Sequence, residues 1–526
     1  MQRLTKHDIK TILSDRFKDD KCLNLSMIPK PSTFKDIKKA AKRVKQAIEN
    51  SEKIAIVGDY DVDGVTASVI MAEFFDDLGV KVSVKIPNRF QDGYGISKEI
   101  VKDLDASLII TVDNGISANE AAIYCKEHSI DLIITDHHTV PENIPEAYAI
   151  VNPKQEGCNF PNSEICGAQV AWYLIAAIKE EMKLSYDLSK YLDLLAIAIV
   201  ADMVSLKDIN RVMVKSGLKC INKSNRAVFS AIKKFFNKDY YKSEDISFLI
   251  SPLINSAGRM EDAIFSYELL RAKNEQEAIE KLEYIIFLNN QRKDIEQKLY
   301  ENLKQNVDKT KNIIVAWGEG WHEGVIGIVA SKLTRTFQKP AIIFSISGDK
   351  AKGSARSVGE IDIYEHIVKY KELLLGFGGH KGAAGISIDV KNLEVFKDKL
   401  EKSFDNINKD DFISKNEILG EIDIDVVDFE LLTILESYEP YGQQNPMPNF
   451  VMSSAYIKLN KIIGKNKNHQ KLILKSGNKS LESLYFNFEE KIESGKKIDF
   501  IFSISKNQFR GKVTPQLMIK KILSYK

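Results

Sequence analysis

The feature that most constrains this chain is a set of four short apolar runs with helix-patterned stretches between them. The runs are KIAIVGDYD (53–61), VKVSVKIP (80–87), SLIITVDNG (107–115) and DLIITDHH (131–138). Parallel strands cannot be joined by a tight turn and need a crossover of a dozen or more residues. Strand, helix, strand at this spacing therefore predicts an α/β fold with a doubly wound parallel sheet. In such sheets ligands collect beyond the carboxyl ends of the strands. Every polar signature here falls at that edge: Asp59, Asp61 and Asp63, then Asp113-Asn114-Gly115, then Asp136-His137-His138.

Three carboxylates at alternate positions raise one another's pKa unless a cation lies between them. Asp202 follows the apolar stretch LLAIAIVA, where a buried lone acid is costly unless paired or ligating. Together Asp61, Asp63, Asp113, His137 and Asp202 offer hard oxygens and an imidazole, a set that suits Mn²⁺ or Mg²⁺ better than a thiolate-rich zinc site. Two divalent ions about 3.5–4 Å apart can activate a bridging water and clamp a phosphoryl group. Asp113 is the expected bridging ligand. His137 and His138 are neighbours on extended chain and point opposite ways, so one is expected to bind metal and the other to face substrate. Asp136 is expected to orient an imidazole. Asp59 either ligates the first ion or hydrogen-bonds beside it.

Further along, 165–203 reads as largely helical, and 275–307 contains no Pro or Gly. The latter predicts a helix of ~33 residues, about 50 Å long, as a spacer. A second α/β unit follows, and after about residue 410 the pattern becomes short alternating strands, as in a small barrel. Residues 451–526 carry 16 Lys and Arg against 5 Asp and Glu, a net of +11, which leaves −9 on the first 450. An acidic front and a basic tail suggest metal chemistry joined to polyanion binding. The tail interleaves Lys with Tyr456, Tyr485, Phe486, Phe488, Phe500, Phe502 and Phe509, either as barrel core or as stacking rings for a single strand.

Several classes are excluded. No run of about 18 apolar residues occurs, which argues against a membrane span. The charged N-terminus has no signal-peptide core, and the five cysteines form no CxxC, so a cytoplasmic protein with reduced thiols is expected. The first strand is not followed by GxGxxG, which disfavours a dinucleotide cofactor.

The motifs GDYDVDG, VDNG, DHH and ADMVSL resemble motifs one to four of the DHH phosphoesterase family. GFGGHKGAAG resembles the glycine-glycine-histidine signature of the DHHA1 domain that accompanies it. IPNRFQDGYGIS, INSAGRM, WHEGVIGIVASKL, GSARS and LESYEPYGQQNPMPNF resemble that family's bacterial branch of single-stranded-DNA-specific exonucleases. One departure is Val57, where some members carry His, which raises the importance of Asp59.

The resemblance implies a DHH catalytic domain over 1–205 and a helical region with the long connecting helix over 206–308. It implies a DHHA1-type substrate-binding domain over 309–410 and an OB-like nucleic-acid-binding barrel over 411–526. It implies 5′→3′ hydrolysis of single-stranded DNA with two ions of Mn²⁺ or Mg²⁺, in repair and recombination. Implied metal ligands are Asp59, Asp61, Asp63, Asp113, His137 and Asp202. His138, Asp136 and His380 are the implied catalytic set, with His380 at the scissile phosphate. Ser354, Arg356 and Ser357, in a Gly-led loop, and Arg259 would grip the 5′-terminal phosphate. Gly378 and Gly379 would let backbone approach the substrate, and Arg89 and Tyr94 would hold the entering strand. A monomer partnered by a helicase and single-strand-binding protein, with no membrane association, is the implied setting. The alternative is a relative acting on short oligonucleotides or cyclic dinucleotides.

Overall fold

The computed structural model describes residues 2–405, 407–412, 418–464, 467–476, 479–488, 491–509 and 512–525. Its first sheet is all parallel, in the order β2-β1-β3-β4-β5. The strands are β1 (Ile54–Val57), β2 (Val82–Lys85), β3 (Leu108–Val112), β4 (Asp131–Thr135) and β5 (Ala149–Val151). Alternate residues serve opposite faces, as strand geometry requires. Ile54, Ile56, Leu108, Ile110 and Ile133 enter one core with the helices Ile37–Glu49, Val62–Asp77 and Gly167–Met182. Ala55, Val57, Ile109, Leu132 and Ile134 enter the other, under Lys98–Lys102 and Asn119–Glu127. The sheet is doubly wound. The edge strand β5 escaped the sequence reading because three residues are too short to show a period.

The long helix runs Glu275–Asn306, 32 residues and roughly 48 Å. Ala278, Leu282 and Ile285 belong to the first core, whereas Leu299 and Leu303 pack into the second unit. One rigid rod thus joins both bodies by burying opposite ends.

The second sheet has the order β6-β7-β8-β10-β9. These strands are β6 (Ile314–Glu319), β7 (Ala341–Ser347), β8 (Lys350–Arg356), β9 (Leu374–His380) and β10 (Ala383–Asp389). The helix Glu323–Phe337 and the end of the long helix cover one face, and Ile363–Val368 and Leu393–Phe404 cover the other.

The last unit contains β11 (Ile418–Glu421), β12 (Asn449–Ile463), β13 (His469–Ser476), β14 (Lys479–Phe486), β15 (Lys497–Phe509) and β16 (Lys512–Tyr525). Strand β15 pairs back onto β12, closing a five-stranded barrel, and β11 is added outside it. Phe500 and Phe502 are fully buried barrel core, while Tyr456 and Phe486 are exposed. Phe488 is half-buried, and the side chain of Phe509 lies outside the described residues.

One finding departs from the expected division of the chain. The N-terminal helix Lys6–Asp15 leaves the first unit: Leu4, Ile9 and Leu13 pack with Ile422, Leu431, Phe450 and Leu472 of the barrel unit. Lys6 is ion-paired to Asp428 and Glu430. The helix buries its apolar stripe where a matching face exists, and that face lies more than 400 residues away.

Candidate metal centre

Each ligand candidate is aimed by a local backbone device. Asp61 is the N-cap of the helix Val62–Asp77, its Oδ1 accepting from the Asp63 and Gly64 amides at 2.9 and 3.1 Å. Asp63 lies in the first turn and reaches across to the start of the helix Gly167–Met182. There its carboxylate accepts from the Gly167 and Ala168 amides at 2.6 and 2.9 Å. A helix N-terminus favours negative charge. Asp113 follows β3 with a φ of 64°, a left-handed conformation that Asp tolerates better than most residues. Asn114 holds that turn: its side-chain amide donates to the Val57 and Val112 carbonyls, and its oxygen accepts from Ile96. A Cβ at Gly167 would lie 2.2 Å from Asp113 Oδ1, so only glycine leaves room for this carboxylate.

The candidate ligands converge in three overlapping groups. Asp59, Asp61 and Asp113 bring ligand atoms within 4.8 Å of one another, as do Asp63, His137 and Asp202, and Asp113 with both histidines. His137 Nε2 faces Asp113 Oδ1 at 3.2 Å, Asp202 at 3.8 Å and Asp63 at 3.9 Å. Buried Oδ1 atoms of Asp59 and Asp113 have no hydrogen-bond partner. Oxygens buried without donors, beside an imidazole nitrogen, fit a divalent cation.

Electrostatics agree. Burial, then neighbouring acids, pushes Asp63 up to about 6 and holds Asp59, Asp113 and Asp202 well above the carboxylate range. Burial, with the charge of His138, lowers His137 to about 3, so its imidazole is neutral and able to ligate.

Asp136 is different in kind. Its Oδ1 accepts from the His137 amide, the His138 amide and His138 Nδ1, at 2.7, 3.0 and 2.7 Å, and its Oδ2 accepts from Ile116. With its oxygens so engaged, Asp136 stands where it would orient His138. Desolvation opposes the charge on His138, but the bond to Asp136 prevails and raises it to about 9. His138 Nε2 stands 3.2 Å from the Tyr94 hydroxyl.

The second group of candidates gathers around a cavity of about 960 Å³ between the units, whose wall includes Arg259, Arg356, Ser357 and His380. Ser354 and Arg356 lie on β8 rather than in a loop, because the run alternates buried Ala351 and Ala355 with polar residues. Arg356 donates to Ser354 Oγ and the Ala355 carbonyl, and Ser357 Oγ to Ile361. Gly378 and Gly379 are likewise strand, on β9. Gly379 is demanded by the fold, with φ 149° and a hypothetical Cβ 2.3 Å from the Ala383 carbonyl. A Cβ at Gly378 would meet nothing within 4 Å. Arg259 donates to the Gly324 carbonyl, and burial with nearby Arg89, Arg356 and Arg292 lowers it to about 10. Arg89 stacks on Tyr60 at 3.9 Å and donates to the Gly258 carbonyl. Sequence reasoning missed Arg292, which joins the cavity from the long helix paired to Glu296. Its helical spacing is indistinguishable from that of a solvated residue.

Comparison with known proteins is consistent at every level. Family models described as DHH family, N-terminal domain, DHHA1 domain and RecJ OB domain match residues 53–199, 310–406 and 418–521. The single-stranded-DNA-specific exonuclease RecJ of Bacillus subtilis is 35% identical, over 93% of this chain and 64% of its own length. The chain thus spans just under two thirds of that relative. RecJ of Haemophilus influenzae is 31% identical over 93% of this chain and 91% of the relative. The crystal structure of Thermus thermophilus RecJ in complex with Mn²⁺ matches with a TM-score of 0.84 and 26% identity, covering 99% of this chain and 76% of that one. Its Mg²⁺ complex matches at 0.78 and 25%, covering 98% and 74%.

Proposed function

The chain belongs to the RecJ family of single-stranded-DNA-specific exonucleases, and on that premise we propose that it hydrolyses single-stranded DNA from the 5′ end, releasing nucleotides, with two divalent cations in the acidic pocket. The observation that carries this reading is the grouping of ligand atoms around one shared carboxylate. Asp113 is within reach of Asp59 and Asp61 on one side and of His137 on the other, with Asp63 and Asp202 beyond. Bound there, Mn²⁺ or Mg²⁺ would make a water nucleophilic near neutral pH and draw charge from the scissile phosphoryl group.

The remaining roles fall to the chain's own residues. His138, held as imidazolium by Asp136, donates a proton to the 3′ oxygen that leaves as the P–O bond breaks. Arg259 and Arg356, with no carboxylate bonded to either guanidinium among the described residues, hold the 5′-terminal phosphate with Ser354 and Ser357. A charge-assisted grip on that end enforces polarity. His380 and the open backbone at Gly378 flank the scissile phosphate, and Arg89 and Tyr94 guide the strand. The basic barrel tracks its distal part through phosphate contacts. A helicase that supplies single strands and a single-strand-binding protein are the partners this activity implies, for an enzyme acting as a monomer in repair and recombination.

The test is cleavage of end-labelled DNA. A 5′-phosphorylated single strand should be shortened from its 5′ end with Mn²⁺ or Mg²⁺, with duplex spared and chelator stopping the reaction. Equal attack on duplex, or cleavage in chelator, would overturn the reading.

A further inference from the structure

Asp63 and Asp202 come from distant parts of the chain, yet they stand 3.9 and 3.8 Å from His137 Nε2. A buried polar network ties the two segments that carry them. Asp63 is held by the amides that open the helix Gly167–Met182. Gln169, at the third position of that helix, turns back, and its Oε1 accepts from the Cys166 amide at 3.0 Å, which closes the helix start. Its Nε2 donates to Asn210 Oδ1 at 3.0 Å, across to the helix Asp208–Lys223. Asn210 Nδ2 in turn donates to the Glu164 carbonyl at 2.6 Å and to the Ser205 carbonyl at 2.9 Å. Ser205 lies just beyond Asp202, in the short loop whose Met203 is left-handed at φ 59°.

Cys166, Gln169 and Asn210 are all fully buried within the first unit. Burying two amides costs free energy unless their donors and acceptors are used. Here both side-chain oxygens accept a bond, Asn210 Nδ2 serves two carbonyls, and Gln169 Nε2 reaches Asn210 and the Met213 sulfur. Apolar side chains of the same volume would fill this space without that demand, but only a satisfied polar network fixes direction. We infer that Gln169 and Asn210 are positioning residues: they set the separation of Asp63 and Asp202, and thereby which divalent cation the group Asp63, His137 and Asp202 accepts. The inference rests on the two-cation reading of the pocket and adds the origin of its selectivity. Mg²⁺ demands near-ideal octahedral geometry at about 2.0–2.1 Å, whereas Ca²⁺ accepts irregular sets of oxygens at about 2.3–2.6 Å. Acids tied at a fixed separation favour the smaller, stricter ion. Cutting the tie removes that advantage.

The experiment uses the full chain without DNA, so that cleavage does not enter the measurement. Mn²⁺ is titrated by electron paramagnetic resonance, and Mg²⁺ or Ca²⁺ is then added to displace it. Gln169→Met keeps the length of the side chain and removes its amide, and Asn210→Ala removes both ties to carbonyls. Each should weaken one class of Mn²⁺ site about 10–100-fold. Each should lose more affinity for Mg²⁺ than for Ca²⁺. Ile221→Val trims the same core further along the helix that carries Asn210. It should lower the melting temperature and keep the cation affinities of wild type. If a folded variant of Gln169 or Asn210 binds Mn²⁺ like wild type, the inference is refuted. It is refuted equally if Mg²⁺ and Ca²⁺ weaken alike, or if Ile221→Val has the same effect. If wild type itself binds no Mn²⁺, the two-cation reading fails and takes the inference with it.

Discussion

His137 Nε2 lies 3.2 Å from Asp113 Oδ1, an oxygen that no hydrogen-bond donor reaches. A neutral imidazole nitrogen set against a carboxylate oxygen without a hydrogen bond is an unfavourable contact, which a cation between them would convert into two ligand bonds. The pair therefore marks where cation charge is needed among acids that burial and mutual repulsion disfavour.

Cation binding should expel protons. Asp63 has its pKa raised from 3.8 to about 6, with burial the largest cause. Its contribution to the stability of the metal-free fold is therefore complete below about pH 3.8 and lost as pH rises through about 6. The more strongly raised Asp59, Asp113 and Asp202 extend that loss upward. Calorimetric titration of chelator-treated protein with Mn²⁺ at pH 6, in buffers of different ionisation heat, should show release of about one proton or more. Heats that do not depend on the buffer would contradict the cluster's electrostatics.

Asp113→Asn should separate stability from activity. The amide removes a buried charge and can donate to His137 Nε2, so the metal-free protein should gain about 1–3 kcal/mol. The stabilisation by Mn²⁺ and the cleavage of single strands should both disappear. Melting curves with chelator and with Mn²⁺ read the first effect and the labelled-strand assay reads the second. Near-normal turnover would remove Asp113 from the bridging role.

Asp136→Asn tests positioning. Burial pulls His138 down and the bond to Asp136 raises it to about 9, so loss of that charge should bring it back toward 6.5 or below. If the imidazolium is the proton donor, activity falls above its pKa. The alkaline limb of the pH profile should then move down in the variant, with turnover reduced about 10–100-fold. A profile that merely scales, with no shift, would assign His138 another role.

Arg356→Ala should erase the preference for a 5′-phosphate over a 5′-hydroxyl end, and Arg356→Lys should rescue it poorly, because a guanidinium offers a planar fork and an ammonium a point charge. The comparison is kcat/KM on the two ends. An unchanged ratio would place the end-binding group elsewhere.

Removing the barrel requires removing the first helix as well. Ile9 and Leu13 are fully buried against barrel residues, so deletion after residue 412 alone would strand an apolar helix on the core. A chain of residues 18–412 should remain soluble, with a raised KM on long strands and a flatter dependence of binding on salt. Leu13→Ala in the full chain should cost about 2–5 kcal/mol of barrel stability. A salt slope that survives in the shortened chain would show that the basic tail is not the DNA track.

Much of this protein was determined by its sequence alone, wherever the controlling physics is local. Short unbroken apolar runs, divided by helical stretches, dictate a doubly wound sheet, and that topology delivers Asp59, Asp61, Asp63, Asp113 and His137 to one edge. The uninterrupted helix at Glu275–Asn306 was legible for the same reason. Other features depended on contacts between distant segments. Nothing near Asp136 reveals that backbone amides and His138 occupy its oxygens, and nothing near Leu13 names the barrel as its partner. That Ser354 and Arg356 lie on a strand, and that Arg259, Arg292 and Arg356 share a cavity with Phe248, follows from how two units dock across the long helix. Burial and long-range charge act through space, so only the tertiary structure could decide which acids keep buried oxygens without donors, which are engaged by backbone amides, and which apolar side chains are left facing water.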